Sequence, residues 1–173
     1  MPIFEEDDAG SGASLARVIL TKRPDTMPSH QGEIAFPGGK LEVSVDADLR
    51  DAALREANEE IGLDPSIVEI VAELDSMTTV AGRFVLTPFV GLLPGRPELT
   101  RDPREVVSVF DVAISELLDP DVYREERWDI PEGVDLTAGP DRAIHFFELA
   151  NETVWGATAR ILVAFLEHLT ATR

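Results

Sequence analysis

The chain has 173 residues, 44% of them apolar, and its 33 acidic and 15 basic side chains give a formal net charge of −18. This charge argues against a nucleic-acid partner, because phosphate backbones are bound by clustered Lys and Arg, and it disfavours binding to anionic membrane surfaces. The absence of cysteine excludes disulfides, thiolate metal sites and a cysteine nucleophile.

The length predicts one domain over residues 1–173, since the chain is long enough for one core and short for two. No run approaches the roughly eighteen consecutive apolar residues of a membrane span. The N-terminal sequence MPIFEEDDAG lacks the basic region of a signal peptide. We therefore expect a soluble protein in the cytoplasm.

Three strands are predicted in the first part of the chain. Apolar residues at 1–4, an acidic loop and the alternating run at 14–21 predict a hairpin. Lys22 and Arg23 end the second strand next to a turn, where side chains can extend over a site. The third strand is predicted at 33–36.

An amphipathic helix is predicted from about residue 48 to residue 61. One side carries Leu54, Ala57 and Ile61, which is the pattern of a core-facing stripe. A second stripe, formed by Glu56, Glu59 and Glu60, falls within an arc of about 100°. Like charges at this spacing repel, so the stripe suits a bound divalent cation, with a solvated acidic face as the alternative.

Turn residues frame this helix at both ends. The glycine-rich turn PGG at 37–39 precedes it, and Gly62 follows where a left-handed C-cap is expected. Asp46 or Asp48 is the predicted N-cap.

The rest of the chain predicts further strands and a closing helix. Strands are expected at 68–74, 84–92, 106–112, 123–130 and 143–149, a short helix at 114–118 and the closing helix at 153–168. Pro88 is compatible with a strand only at an edge or a bulge. Trp155 is expected to be a core anchor, with a base-stacking platform as the alternative. Strands mixed with two main helices predict an α+β domain.

The order of strand, glycine turn, loop and acidic helix resembles the Nudix hydrolases, whose box is written GX5EX7REUXEEXGU, with U a bulky aliphatic residue. REANEEIGL at 55–63 matches the second half of the box, although Ala57 is smaller than the usual aliphatic, and Gly39 fits the opening glycine. The loop between Gly39 and Arg55 is two residues longer than in the general pattern and lacks its usual glutamate. Asp46 is the closest substitute.

The longer loop is shared with one subgroup of that family, the coenzyme A pyrophosphatases. ILTKR at 19–23 and HQGEIAFPGG at 30–39 resemble the additional signature of this subgroup, and EVVSVFDV at 105–112 and WGATARIL at 155–162 resemble its late strand and closing helix. The first strand of this subgroup is longer than the one predicted here. A chain that starts late and a frayed N-terminus are the two alternatives for this short strand. The resemblance implies the Nudix α/β/α sandwich with a mixed sheet.

The resemblance also implies residue roles. Glu56, Glu59 and Glu60 are expected to bind the metal, together with the carbonyl of Gly39, and Arg55 is expected to orient Glu59. The proton of the attacking water is taken either by a glutamate of the box or by a carboxylate from a later loop, for which Glu105 is the candidate. Because the predicted ligands are oxygen atoms, Mg²⁺ or Mn²⁺ is favoured over zinc.

The implied substrate is a small nucleotide with a diphosphate. Lys22, Arg23, His30 and Lys40 are the candidate contacts to it, although a lone His is more often structural. Coenzyme A or a thioester of it would be cleaved to 3′,5′-ADP and a 4′-phosphopantetheine product. Hydrolysis of another nucleoside diphosphate such as ADP-ribose, and a module that binds a nucleotide without turnover, are the alternatives. No nucleic-acid or membrane partner is expected, and a homodimer is left open.

Overall fold

The computed structural model describes residues 1–7, 14–25, 31–79, 84–128 and 142–171. They belong to two compact units. The first unit comprises Met1–Glu73 and Phe89–Glu116, and the second comprises Leu74–Pro88 and Leu117–Arg173. The single domain expected from the length stays a prediction, and each unit is described by itself.

In chain order, the described residues form β1 (Pro2–Asp7), β2 (Ser14–Lys22), β3 (Ile34–Ala35), α1 (Leu49–Ile61), β4 (Glu69–Glu73), β5 (Met77–Thr78), β6 (Val85–Leu86), β7 (Phe89–Leu92), β8 (Ser108–Ala113), α2 (Ile114–Leu117), β9 (Tyr123–Trp128), β10 (Arg142–Glu148), β11 (Thr153–Trp155) and α3 (Gly156–Ala171). A short 3₁₀ turn at Pro65–Ile67 follows α1. No helix in these described ranges is long and apolar enough to cross a lipid bilayer.

A six-stranded mixed sheet is the centre of the first unit. Its strand order is β3-β2-β1-β7-β4, with β8 paired to β2. The predicted hairpin of β1 and β2 places Ile3 opposite Val18, whereas β1 and β7 run parallel, with Pro2 opposite Gly91. The α+β class and the mixed sheet predicted from the sequence are confirmed.

Helix α1 begins and ends close to where its caps predict. The Asp48 side chain accepts hydrogen bonds from the N–H groups of Arg50 and Asp51, as an N-cap does. Gly62 has φ of 68°, a left-handed conformation that a residue with a side chain rarely adopts. The Gly62 N–H donates to the carbonyl of Asn58 at 2.8 Å, so a backbone carbonyl of the last turn is satisfied.

The apolar face of α1 packs on the sheet of the same unit. Ala57 and Ile61 share one core cluster with Phe4 and Ile19 of the sheet and with Val106. Full burial of an aliphatic side chain such as Ile61 contributes roughly 1.5–3 kcal/mol. The helix that carries the acidic residues is therefore fixed to the sheet by its opposite face.

Two predicted elements are divided in the structure. The strand expected at 84–92 is interrupted at Pro88, which has no N–H to donate to a ladder; its halves are β6 and β7. The helix expected from 153 begins at Gly156, because Thr153–Trp155 pairs with β10 as β11. The left-handed φ of 66° at Gly156 turns the chain from this strand into α3.

The second unit contains the sheet β11-β10-β9 and helix α3. Phe147, Val154 and Leu162 are completely buried. Trp155 is 42% exposed, so the expected core anchor is wrong. Its ring instead lies nearly parallel to that of the buried Phe146, with centroids 6.5 Å apart, because alternation along β11 points Val154 inward and its neighbours outward.

Candidate active site

The three glutamates of the acidic stripe of α1 differ in exposure. The side chain of Glu59 is 57% exposed and that of Glu56 is 16% exposed, whereas Glu60 is buried. Glu60 lies next to Ile61 and three residues after Ala57, so it borders the core face of the helix. The stripe therefore contains one solvated carboxylate, one half-buried carboxylate and one buried carboxyl group.

Burial raises the pKa of the Glu60 carboxyl to about 7. The N–H of Gly38 donates to it at 3.1 Å and, with the positive charge of Arg23, opposes this rise in pKa, while Glu56 and Glu105 add to it. Arg23, Glu56 and Glu105 are therefore all within electrostatic reach of Glu60. This carboxyl can hold or release a proton near neutral pH.

Gly39 and Glu56 approach each other closely. A Cβ placed on Gly39 would lie 2.2 Å from the carboxyl carbon of Glu56 and 2.2 Å from one of its oxygens. Real Cβ atoms do not tolerate such a distance, so glycine at this position lets the backbone reach the carboxylate. The two predicted metal ligands are thus neighbours, although they are seventeen positions apart in the sequence.

Arg55 connects α1 to the lengthened loop. Its Nε and Nη2 donate to Asp46 at 2.8 and 3.0 Å, its Nη1 donates to Glu59 at 3.1 Å, and its Nη2 also donates to the carbonyl of Lys40 at 3.1 Å. Its Nη2 lies 3.1 Å from Glu56 as well. Charge-assisted hydrogen bonds of this kind hold both partners in a fixed orientation. Arg55 is thus placed to orient the carboxylates of the site.

Asp46 is held inside the loop. Its side chain is only 2% exposed, and it accepts a hydrogen bond from the N–H of Glu42 at 2.7 Å in addition to those from Arg55. The Arg55 bonds, followed by the Glu42 bond, lower its pKa. Asp46 therefore serves as the anchor of the lengthened loop, with both oxygens already hydrogen-bonded.

The loop before β8 places Glu105 at the end of α1. The N–H groups of Thr100 and Asp102 donate to the carbonyls of Ile61 and Glu60 at 2.9 and 2.8 Å, and the N–H of Glu105 donates to the carbonyl of Asp102 at 3.1 Å. These bonds satisfy two carbonyls that a helix otherwise leaves open. The backbone of Glu105, whose side chain is exposed, is thus tied to the helix turn that carries Glu60.

Three of the four basic residues predicted to contact substrate belong to the part of the chain that the structure describes. Arg23 follows β2, and its N–H donates to the carbonyl of Glu33 at 3.0 Å. Lys22 pairs across the sheet with Ser108 and with Ile34, and Lys40 is exposed beside the Arg55 contact. His30 lies outside the described residues.

The oxygen donors of the site suit a divalent cation. Within the described residues, no three acidic or histidine side chains stand close enough together, as placed, to hold a metal ion. Arg55 and the Gly38 N–H instead satisfy the charge of the carboxylates. The chemistry still fits, because Glu56, Glu59, Glu60 and the Gly39 carbonyl supply only the hard oxygen donors that Mg²⁺ and Mn²⁺ prefer. The close approach of Gly39 to Glu56 leaves no room for a side chain between these donors.

Sequence reasoning missed two features of the site. The burial of Glu60 has a signal in the sequence, since its position borders Ala57 and Ile61 on the helix. The contacts of Thr100 and Asp102 with α1 have no signal in the sequence, because their donors are backbone N–H groups that nearly every residue carries.

Comparison with known proteins gives a consistent family. A family model described as NUDIX domain matches residues 3–133. The chain is 39% identical over 167 residues to "Nudix hydrolase 22, chloroplastic" of Arabidopsis thaliana, covering 93% of this chain and 51% of that protein. It is 38% identical over 145 residues to "Uncharacterized Nudix hydrolase NudL" of Enterobacter sp. (strain 638), covering 84% of this chain and 71% of that protein. The chain thus spans about half the length of the plant relative.

Two solved structures share the fold at low sequence identity. The Ap4A hydrolase of C. elegans, solved as a binary complex, is 14% identical with a TM-score of 0.52, over 68% of this chain and 80% of that chain. The ORF135 protein of E. coli is 20% identical with a TM-score of 0.52, over 99% of this chain and 89% of that chain.

Proposed function

Because the chain belongs to the Nudix hydrolase family, we propose that it hydrolyses the diphosphate bond of coenzyme A or its thioesters with the help of a divalent cation. The observation that carries the proposal is the buried carboxyl of Glu60, which accepts from the Gly38 N–H at 3.1 Å and whose pKa is shifted by the charges of Arg23, Glu56 and Glu105. This arrangement brings together carboxylates that suit a metal ion and an arginine that suits a substrate phosphate.

Nudix hydrolases generally use divalent metal cations, and Gly39, Glu56, Glu59 and Glu60 would hold one here. When bound, such a cation polarises phosphoryl oxygens and lowers the pKa of a coordinated water.

The residues of this chain have separate tasks in the proposed reaction. Glu105, exposed at the end of α1, accepts a proton from the water that attacks phosphorus, and a glutamate of α1 is the alternative acceptor. The new P–O bond forms as the bridging P–O bond breaks, and the leaving phosphate carries the electron pair of that bond. Arg55 keeps Glu59 oriented. The products are two phosphomonoesters.

The choice of coenzyme A rests on the ILTKR and HQGEIAFPGG segments, which resemble those of the coenzyme A pyrophosphatases. In a chain of charge −18, an extra substrate phosphate needs a local cation, and Arg23 is placed near the carboxylates. The competing substrate is ADP-ribose, which has the same diphosphate but no 3′-phosphate and no pantetheine arm. The cytoplasmic location and the homodimer remain predictions.

The test is a product analysis with coenzyme A, ADP-ribose, NADH and dinucleoside polyphosphates, each incubated with the protein and Mg²⁺. We expect coenzyme A to give 3′,5′-ADP and 4′-phosphopantetheine, with kcat/KM about tenfold above that for ADP-ribose, equal to ~1.4 kcal/mol of transition-state binding. Excess chelator should abolish turnover, and Mg²⁺ or Mn²⁺ should restore it. Full activity in chelator would contradict the metal site, and a preference for ADP-ribose would leave only the broader Nudix activity.

The role of Arg23 is tested with a substrate pair. If the positive charge of Arg23 pairs with the 3′-phosphate, Arg23→Ala should lower kcat/KM for coenzyme A more than for 3′-dephospho-coenzyme A. Equal losses would assign Arg23 to the diphosphate or to structure. Binding of nucleotides without turnover of any of them would favour the non-catalytic module.

A further inference from the structure

A cavity of about 520 Å³ lies in the first unit beside the edge of β8. Its volume is within the range of roughly 300–1,000 Å³ that small-molecule sites occupy. Residues of β1, β2 and β8 line it together with the loop at 96–101. None of the predicted site residues of the catalytic cluster is among the lining residues.

The lining is mostly apolar, and part of it is aliphatic. Ile19, Leu99, Val107 and Val109 contribute to it, and Val107 is 48% exposed, which leaves an apolar side chain open to a ligand. Such a surface binds flexible hydrocarbon segments by removing them from water.

The two arginines that line the cavity, Arg96 and Arg101, differ in their partners. Arg96 donates to Glu6 at 2.9 Å and to Asp111 at 2.7 Å, and its guanidinium lies 4.9 Å from the centroid of the Phe4 ring. Arg96 is therefore committed, and it covers the ring of Phe4, one of the two aromatic rings in the lining. Arg101 donates to the neutral carbonyl of Val106 at 3.0 Å. Among the described residues, no carboxylate forms an ion pair with it.

Part of the cavity lining belongs to the loop that carries Glu105 and binds the end of α1. The N–H of Val107 donates to the carbonyl of Lys22 at 2.8 Å, and Glu105 precedes Val107 by two residues. Arg101 lies between the two loop residues, Thr100 and Asp102, that bind the end of α1. A substrate whose diphosphate is held at the carboxylates can therefore extend along β8 into the cavity.

We propose that this cavity binds the flexible, amide-bearing arm that the substrate carries on the far side of its diphosphate. The proposal rests on the proposed hydrolysis of coenzyme A, and it assigns the arm instead of the nucleoside to this site. The aliphatic residues of the lining match the hydrocarbon portions of the arm, and the Arg101 guanidinium can donate to an amide carbonyl. Of the two aromatic rings in the lining, Phe4 and Phe110, Arg96 already occupies the face of Phe4.

The site is tested by filling it with a large side chain. Val107→Trp places an indole at the entrance, and Val71→Trp is the matched control, because Val71 is also 48% exposed and lies on β4, an edge strand of the same sheet. We expect Val107→Trp to lower the ratio of kcat/KM for coenzyme A to kcat/KM for ADP-ribose about tenfold, mainly through KM. Val71→Trp should leave this ratio unchanged.

A binding measurement separates this inference from the proposed catalytic activity. In ¹⁵N-labelled protein, 4′-phosphopantetheine should shift the amide signals of residues 107–111, whereas 3′,5′-ADP should not. Val107→Trp and, independently, Arg101→Ala should weaken the binding of 4′-phosphopantetheine about tenfold. The assignment is overturned if 3′,5′-ADP shifts these signals instead, or if neither compound does. Absence of turnover with intact 4′-phosphopantetheine binding would reject the proposed function and keep the cavity assignment.

Discussion

The backbone of Gly39 lies directly against the carboxylate of Glu56, so that a Cβ on residue 39 would stand 2.2 Å from the Glu56 carboxyl carbon. The atom that would have to move is the end of a flexible side chain, not a piece of backbone. A methyl group at position 39 should therefore displace the carboxylate without unfolding the protein.

From this contact we expect Gly39→Ala to lower kcat at least about tenfold, on the scale of misplacing a positioned catalytic group. The melting temperature should stay within a few degrees of that of the parent protein. Gly95→Ala is the control, because a Cβ there would meet no atom within 4 Å. Equal kinetics for both variants would show that the Glu56 position is unimportant.

Glu59 is the most exposed carboxylate of the acidic stripe, and its proposed role depends on charge. Glu59→Gln keeps the shape and removes the charge, so we expect turnover to fall about 100-fold with the circular dichroism spectrum unchanged. The control is Glu116→Gln on α2, which is also exposed. A loss below threefold would move the metal site to other residues.

The buried carboxyl of Glu60 makes the stability of the metal-free protein depend on pH. Because burial raises its folded-state pKa from 4.5 to about 7, the folded protein holds this proton more tightly than the unfolded chain. The contribution of protonated Glu60 to the free energy of unfolding is fully present below its pKa in the unfolded chain. This contribution is lost as the pH rises through its pKa in the folded protein. In chelator, the free energy of unfolding should therefore fall by ~3 kcal/mol between pH 4.5 and pH 8 through this group.

Urea denaturation at several pH values in chelator measures this dependence. Glu60→Gln should remove the Glu60 contribution and make the protein more stable than the parent at pH 8. Glu59→Gln should retain it, since Glu59 is solvated. The same pH slope in the parent and in Glu60→Gln would mean that Glu60 is not the titrating group.

The ion pair of Asp46 and Arg55 fixes the lengthened loop, so its loss should affect both stability and activity. We expect Asp46→Asn to lower the free energy of unfolding by ~1–3 kcal/mol, because the buried group loses its charge-assisted bonds with Arg55. Asp75→Asn, at an exposed position, should have little effect. A fully stable Asp46→Asn protein with normal kinetics would show that the loop is held by other contacts.

Helix α1 could be predicted from the sequence because its signals are local. Asp48, Gly62 and the spacing of Ala57 and Ile61 define its caps and its core face within a few residues. The Nudix family was predicted from the same segment, and the comparisons confirm it.

The features that could not be predicted depend on residues far apart in the chain. Whether Trp155 is buried or exposed depends on how β11 pairs with β10. The strand β11 is only three residues long, so its signal in the sequence is weak. The short β5 and β6 pair lies in a segment that has turn residues at both ends. Asp46 shows no sign in the sequence that it is buried, since its partner Arg55 reaches it only through the folded loop.

Thr100 and Asp102 bind the end of α1 with main-chain N–H groups, which every residue except proline possesses. Over evolutionary time the side chains at these two positions could drift without disturbing the helix. The gain or loss of one residue would instead move both donors away from the two carbonyls. We therefore expect this segment to vary in composition and to keep its length, whereas most surface loops change readily in both.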